Sequence, residues 1–255
     1  MSASNRLSAA QRIRGTRLVA ARELGSIFDS PIAYVTAVSF SILANSIFMN
    51  EFFLTGNVDM AGYFDLLPFL LAIFLPAISM RMWAEERRQR TIELLLTLPI
   101  RTSQAVLGKY LASLGLFGLF VLGSLPIPIM LGNLGAPDWG AILSGYLGLV
   151  LFAGLFLAFG SLFSALSRDQ IIAFVTSSLA GFAFVLSGDE RVVAVLDGLL
   201  PALALGTLLY ESFSVMPHYD DLVRGVIQAS SLVYFLVLTS IFLWATSLTL
   251  DRNRS

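Results

Sequence analysis

The chain has 255 residues, of which 56% are hydrophobic and 13% are charged, and its mean hydropathy is +0.80. Because a water-soluble domain carries roughly 25% charged residues, this composition excludes an ordinary soluble protein. Cysteine is absent, which excludes a disulfide framework, a thiolate metal site and a cysteine nucleophile.

Blocks of apolar residues predict an all-α integral membrane protein, with a single transmembrane domain over residues 1–255. A helix needs about 20 predominantly apolar residues to cross the hydrocarbon of a bilayer. Six blocks are long enough, and we predict transmembrane helices at residues 32–53, 64–80, 106–131, 142–166, 170–186 and 226–250. Prolines at positions 68, 76, 126 and 128 predict kinks in two of them.

Residues 6–30 precede the first predicted span and carry five arginines. Apolar side chains recur between these arginines at roughly helical spacing, which predicts an amphipathic interfacial helix on the cytoplasmic membrane surface. The segment is unlike a cleaved signal peptide, because its basic stretch is too long and no small-residue cleavage site follows the first apolar block.

Residues 84–99 join the second and third predicted spans. A dense cluster of charges passes directly into a leucine-rich run that is too short to cross the membrane, and Pro99 closes the run. The pattern predicts a short cytoplasmic helix with one charged end and one apolar end. Exposure of its leucines to water would be unfavourable. We therefore expect them to lie in the membrane interface, against the protein's own helices, or in a groove of a cytoplasmic partner.

A further apolar stretch, residues 190–212, is interrupted by Asp197, Gly198 and Pro201. We predict short re-entrant or outer helices here rather than a seventh span. With six spans, fourteen of the sixteen Lys and Arg residues fall on the side of both termini. Cytoplasmic loops hold the excess of basic residues in membrane proteins, so both termini are predicted to be cytoplasmic.

The sequence contains few residues or motifs that could form a catalytic site. The single histidine, His218, falls in an outer loop, which excludes a His-Glu-x-x-His zinc helix. Gly108-Lys109 invites comparison with a phosphate-binding P-loop, but that motif needs glycine at Ser103 and Ser or Thr at Tyr110. We therefore predict that the chain is not an enzyme and has no catalytic, cofactor or metal site and no ATPase of its own.

Three segments around the cytoplasmic loop carry a family pattern: Ala84–Arg87, Thr91–Ile100 and Leu107–Lys109. They resemble the permease subunits of the second class of ABC exporters, and the resemblance extends over nearly the whole chain. Further segments look like the gliding-motility-type branch, to which copper-enzyme maturation permeases are close relatives: Arg22–Leu24, Phe28–Tyr34, Asp138–Ile142, Asp169–Phe174 and Arg224–Ile227. The family usually has glycine just before the threonine, where this chain has Arg90.

The resemblance implies a half-transporter whose loop helix is the coupling helix seated on the ATPase. It assigns ATPase coupling to Glu85, Glu86, Arg87, Arg90, Thr91, Ile92, Glu93, Leu94, Leu95, Leu96, Leu98 and Pro99. The implied partners are a cytoplasmic P-loop ATPase subunit that binds ATP and Mg, a second permease copy in a homodimer, and a membrane-anchored periplasmic accessory protein. The implied location is the bacterial inner membrane, within the lipid bilayer and with no nucleic acid as partner.

Two other functions are compatible with the sequence. The ATPase could power the assembly of a protein complex, with this chain as its membrane anchor. A stand-alone secondary transporter would show inverted repeats with broken helices or intramembrane charges for coupling ions, and neither is evident. The sequence does not identify a transported compound.

Overall fold

A computed structural model describes residues 9–89, 101–199, 206–207, 210 and 214–252. Every regular element within these ranges is an α-helix. In chain order they are α1 (Ala9–Phe28), α2 (Pro31–Thr55), α3 (Ala61–Ser79), α4 (Arg81–Arg88), α5 (Thr102–Ser124), α6 (Pro126–Leu134), α7 (Trp139–Leu166), α8 (Gln170–Leu186), α9 (Glu190–Leu199), α10 (Met216–Val223) and α11 (Ala229–Arg252).

Five helical stretches in the described ranges are long and apolar enough to cross a membrane. They are Pro31–Thr55, Ala61–Arg88, Thr102–Leu134, Trp139–Leu166 and Ala229–Arg252, and they correspond to five of the six predicted spans. The remaining predicted span, 170–186, is the apolar helix α8, which has only 17 residues. The prediction of an all-helical membrane protein is confirmed, and the sixth crossing stays a prediction.

Helix α7 is the most deeply buried of these spans. In its most apolar stretch of 18 residues, 72% of the residues are buried inside the bundle, against 17% in the corresponding stretch of α11. Small residues explain this position, because they let neighbouring helices approach the α7 backbone closely. A Cβ atom at Gly145 would lie 2.4 Å from the ring of Phe64, and one at Gly160 would clash with Ser79. Helix α3 therefore packs directly onto α7 along most of its length.

Aromatic rings fill the centre of the bundle. The ring of Phe40 on α2 stacks on Phe120 of α5 with centroids 4.4 Å apart, and Phe74 of α3 meets Phe40 edge-on at 5.4 Å. At the end of the bundle away from α4, the hydroxyl of Tyr219 on α10 donates to the carbonyl of Phe64 at 2.9 Å. These contacts join the first three spans, and α10 closes the core at that end.

Helix α1 lies alongside the first half of α5, and the two helices run in the same direction. Gly15 packs against Gln104, and Leu24 packs against Gly115 further along α5. Part of the face that the sequence assigns to the membrane surface thus contacts the protein instead. Leu18 stays 64% exposed on another side of α1, where lipid could cover it.

Proline divides the third span into two helices. Helix α5 ends at Ser124, and α6 begins at Pro126, since proline has no N–H group for the ladder of a preceding helix. Pro68 and Pro76 lie inside α3, which continues through both. The predicted span 106–131 lies within the apolar stretch Thr102–Leu134, and the break between α5 and α6 falls directly before Pro126, one of the two prolines that predict a kink there.

Short helix α9 lies within the predicted re-entrant segment 190–212. Asp197 near its end accepts hydrogen bonds from the Gly206 N–H at 2.6 Å and from the Thr207 hydroxyl at 2.7 Å. The described residues before and after residues 200–205 are therefore in direct contact. The predicted pair of re-entrant helices stays a prediction, because residues 200–205, 208–209 and 211–213 lie outside the described residues.

The last span begins three residues later than predicted. Gly225 has a φ of +83°, and the Val226 N–H donates to the Asp221 carbonyl at 2.8 Å. This geometry is a Schellman cap, which ends a helix and needs a residue that tolerates left-handed φ. Residues 225 and 226 thus belong to the end of α10, and α11 begins at Ala229.

Candidate coupling site

The predicted ATPase-coupling residues fall between α4 and α5. Glu85, Glu86 and Arg87 lie on α4. The other nine lie outside the described residues: Arg90, Thr91, Ile92, Glu93, Leu94, Leu95, Leu96, Leu98 and Pro99. The structure therefore describes the two attachments of this segment, and the coupling role of its residues stays a prediction.

The hydroxyl of Ser164 on α7 holds the junction between α3 and α4. It donates to the Met80 carbonyl at 2.9 Å and accepts from the backbone N–H groups of Trp83, at 3.0 Å, and Ala84, at 3.2 Å. A side chain inserted into the hydrogen-bond ladder of a helix interrupts it, which accounts for the helix boundary at Met80. Helix α4 is therefore fastened to α7 through its own backbone.

Trp83 anchors α4 a second time, through its side chain. The indole N–H donates to the Oγ atom of Ser161 at 3.0 Å. The ring is fully buried in a small cluster with apolar residues of α5, α7 and α11. Because a buried indole seeks a partner for its N–H group, this bond fixes the rotation of α4 just before the coupling segment.

Lys109 of α5 joins three helices. Its ammonium lies 2.9 Å from Oε1 of Glu86 on α4 and 3.0 Å from Oε2 of Glu23 on α1. The same nitrogen lies 5.3 Å from the ring centre of Trp83, within the range of a cation–π contact. Lys109 is only 5% exposed, and a charge buried this deeply is strongly unfavourable unless it is paired.

Glu23 keeps its negative charge in this arrangement. Burial raises the pKa of its carboxyl, but the charges of Lys109 and Arg22 and the hydrogen bonds from both side chains outweigh burial, so that the pKa lies below its usual value. The carboxylate is therefore ionised at neutral pH, and the ion pair between α1 and α5 persists.

The start of α5 is fixed by two polar contacts. The backbone N–H of Arg101 donates to Oε1 of Gln104 at 2.9 Å, which is one half of a capping box. The hydroxyl of Thr102 donates to the carboxylate of Asp251 near the end of α11. The second attachment of the coupling segment is thereby tied to the last span.

Sequence reasoning missed Lys109, Glu23, Ser161 and Ser164 as parts of this site. One signal could have found Lys109: it is the only lysine in the chain and lies at the start of an apolar block. Its partners on α1 and α4 are distant in sequence, so no spacing rule connects them. The two serines carry no signal, because serine is common in membrane helices.

These side chains are arranged to join helices rather than to react. The ammonium and both carboxylates of the Lys109 cluster are paired with one another. In the parts of the chain that the structure covers, no group of three or more His, Cys, Asp or Glu side chains is placed to hold a metal ion. They connect α1, α4, α5 and α7 through ion pairs and hydrogen bonds.

Comparison with known proteins identifies one family. The family model described as ABC-2 family transporter protein matches residues 36–250, which include α4, Lys109 and the last span. No curated protein matches the chain in a sequence search. Five apolar spans and a match over most of the chain point to the same conclusion. The chain belongs to the ABC-2 transporter family and is a multi-pass permease subunit of an ABC transporter.

Proposed function

We propose that this permease is one half of an exporter driven by a separate cytoplasmic P-loop ATPase that binds ATP and Mg. Family membership supports such a partner. Two copies of the permease, as a homodimer, and two ATPase subunits would form the transporter in the bacterial inner membrane. Exposed apolar side chains along α2 and α11 are consistent with cover by lipid or by a second copy.

This proposal rests on the hydrogen bonds and ion pairs that hold α4 and α5, on the two sides of residues 90–100, to the other helices. Before the segment, α4 is held to α7 by Ser164 and Trp83. After it, α5 is held to α1 and α4 by Lys109 and to α11 by Thr102. A partner that pushes on the segment would therefore move several helices through buried contacts.

Arg87 gives further support for a partner at this end. Its Nη2 atom is buried and, among the described residues, has no hydrogen-bond partner. A buried donor without an acceptor is unfavourable. An acceptor from a docked ATPase would relieve that cost if docking moved α4 enough to expose this atom, and Arg87 is one of the residues that the family resemblance assigns to coupling.

The path of α8 supports six crossings. Helix α8 follows the end of α7, where Ser164 contacts α4. Just after α8, a Cβ at Gly188 would lie 2.4 Å from the Cβ of Met216 on α10, at the other end of the bundle. Helix α8 thus runs from one end to the other. We place the α4 end, where α1 and α11 bring basic residues, in the cytoplasm.

Charge substitution in the coupling segment tests the proposal. Glu93→Arg and Leu95→Arg should leave membrane insertion intact but abolish stimulation of the ATPase by the permease. The reason is that the substituted segment would no longer fit the groove on the ATPase. Asn57→Arg, an exposed position beyond α2 at the other end of the bundle, is the matched control. The readouts are co-purification of the ATPase and ATP hydrolysis in nanodiscs.

Normal binding and stimulation by both variants would show that the docking segment is wrongly assigned.

We also propose that the chain belongs to the gliding-motility-type branch of the family. The resemblance to that branch suggests a periplasmic accessory protein. Co-purification from cells that express the neighbouring reading frames tests that partner. Finding a transported compound would separate export from an assembly role.

A further inference from the structure

A cavity of about 580 Å³ opens beside the Lys109 cluster, between α1, α2, α3, α4 and α5. One part of its lining is charged and consists of Arg22, Glu23, Arg81, Glu85, Glu86 and Lys109. Another part is mainly apolar and includes Ile32, Ala33, Ala77, Ile78 and Leu116. The volume is within the range of small-molecule sites in proteins, and the two-part lining suits a ligand with one polar and one apolar end.

The charged part is balanced, with three cations and three carboxylates. Four of these groups, namely Arg22, Glu23, Glu86 and Lys109, form ion pairs with one another. The other two are Arg81 and Glu85. Within the described ranges, Arg81 has neither an ion pair nor a hydrogen bond from its side chain, and Glu85 accepts only from the amide of Gln89. Among the described residues, the cavity thus offers one cation and one anion that have no ion-pair partner.

These two groups lie one helical turn apart on α4, so they share a face, with a rise of about 6 Å between them. We propose that the cavity binds the headgroup of a phospholipid that carries a primary amine. Its phosphate would lie on Arg81, whose guanidinium can give paired hydrogen bonds to phosphate oxygens. Its ammonium would lie on Glu85, and its glycerol and first acyl carbons along Ile32 and Ile78.

The charges of the cavity select among headgroups. An anionic headgroup without an amine would leave Glu85 facing a phosphate, with repulsion instead of pairing. A choline headgroup has no N–H donor and is bound best over an aromatic face, but no described residue of the lining is aromatic, and the nearby ring of Trp83 faces Lys109. Phosphatidylethanolamine has both the phosphate and the donating ammonium.

A bound lipid would contact the start of α2 and the face of α4 at once, so it should stabilise the fold against heat. We would measure the unfolding temperature of the full chain in detergent micelles with added palmitoyl-oleoyl phosphatidylethanolamine, phosphatidylcholine or phosphatidylglycerol. The ethanolamine lipid should raise that temperature clearly more than the other two at equal mole fraction. Equal shifts with all three lipids would overturn the proposal.

Two variants locate the site. Arg81→Gln and Glu85→Gln should each raise the half-saturating lipid fraction about tenfold, the loss expected for one charge-assisted contact. Arg88→Gln is the matched control, because Arg88 lies exposed on the same helix and does not line the cavity. If all three variants respond like the wild type, the lipid binds elsewhere and the assignment is wrong.

A water-soluble phosphoamine has the same polar chemistry, so glycerophosphoethanolamine is tested beside the lipid. Full protection by this soluble compound would overturn the lipid assignment, whereas protection by the lipid alone supports it. The lipid comparison uses the wild-type chain, so a misfolded variant does not remove the test. Neither measurement involves an ATPase, so the lipid site and the proposed transport function can fail separately.

Discussion

Val19 of α1 lies over Gly108 of α5 so closely that a Cβ atom at position 108 would come within 2.6 Å of the valine Cγ1 and 3.2 Å of the Ala20 backbone nitrogen. Glycine at this crossing is what allows α1 to pack lengthwise on α5. The contact lies one residue before Lys109, so the same crossing brings Glu23 within reach of the ammonium.

Substitution of this glycine should therefore separate α1 from α5. We expect Gly108→Ala to destabilise the protein by roughly 1–3 kcal/mol, the usual cost of overpacking. Gly118→Ala, on the same helix, is the control: nothing lies within 4 Å of its added Cβ, so we expect no loss of stability. Thermal unfolding in detergent measures both. Equal unfolding temperatures for the two variants would contradict the packing described for α1.

Removal of the Lys109 charge should cost more. Lys109→Met leaves the partly buried carboxylates of Glu86 and Glu23 without their shared cation, and because breaking a fully buried ion pair costs ~3–5 kcal/mol, we expect a loss of up to about that size. Lys109→Arg keeps the charge and should lose much less. The measurement is again the unfolding temperature, together with the susceptibility of α1 to limited proteolysis. An unchanged melting curve for Lys109→Met would show that the cluster contributes little.

Acidification should weaken the end of the bundle around α10. The ring of His218 lies 4.2 Å from that of Tyr234, and its Nδ1 atom is 3.1 Å from the Ser231 hydroxyl. Burial lowers the pKa of His218, and the charge of Asp221 offsets part of this effect. Because the pKa is lower in the folded state, the stabilisation is present above the ordinary histidine pKa and is lost as pH falls through the folded value.

We therefore expect the unfolding temperature to fall more steeply from about pH 7.5 to pH 5 in the wild type than in His218→Gln. The comparison removes the contribution of other titrating groups, which both proteins share. Parallel curves would mean that the histidine is equally solvated in the folded and unfolded chain.

Because the chain has no cysteine, single cysteine variants can report its orientation without background. Gln89→Cys and Arg168→Cys should react with a membrane-impermeant maleimide only after the cells are opened. Asn57→Cys and Gln228→Cys should react in intact cells, once the outer membrane is permeable to the reagent. Labelling of Arg168→Cys from outside would exclude the proposed six crossings.

The spans could be predicted because their signal is local. A run of about 20 apolar residues needs a bilayer or a deep core whatever surrounds it, and α2, α3 and α7 lie within a few residues of their predicted bounds. The start of α11 was placed too early, since Val226 and Ile227 are apolar like a span. In the structure, Gly225 and Val226 cap α10 instead.

The contacts of the candidate site could not be predicted, because they join residues far apart in sequence. Ser164 and Met80 are 84 positions apart, and Lys109 and Glu23 are 86 apart. Nothing in a single sequence pairs one serine of a helix rich in small residues with one carbonyl of another. The family resemblance pointed to Glu86 and Arg87, but it gave no reason to connect α4 with α1.

The hydroxyl of Ser164 bonds both the Met80 carbonyl, just before α4, and the N–H groups of Trp83 and Ala84 in the first turn of α4. A hinge at that point would need the carbonyl and the two amide groups to move independently, and one oxygen atom binds all three. Rotation of α4 alone about the end of α3 would therefore break these hydrogen bonds. A displacement of α4 that preserves these bonds would move α7, the most deeply buried span, together with it.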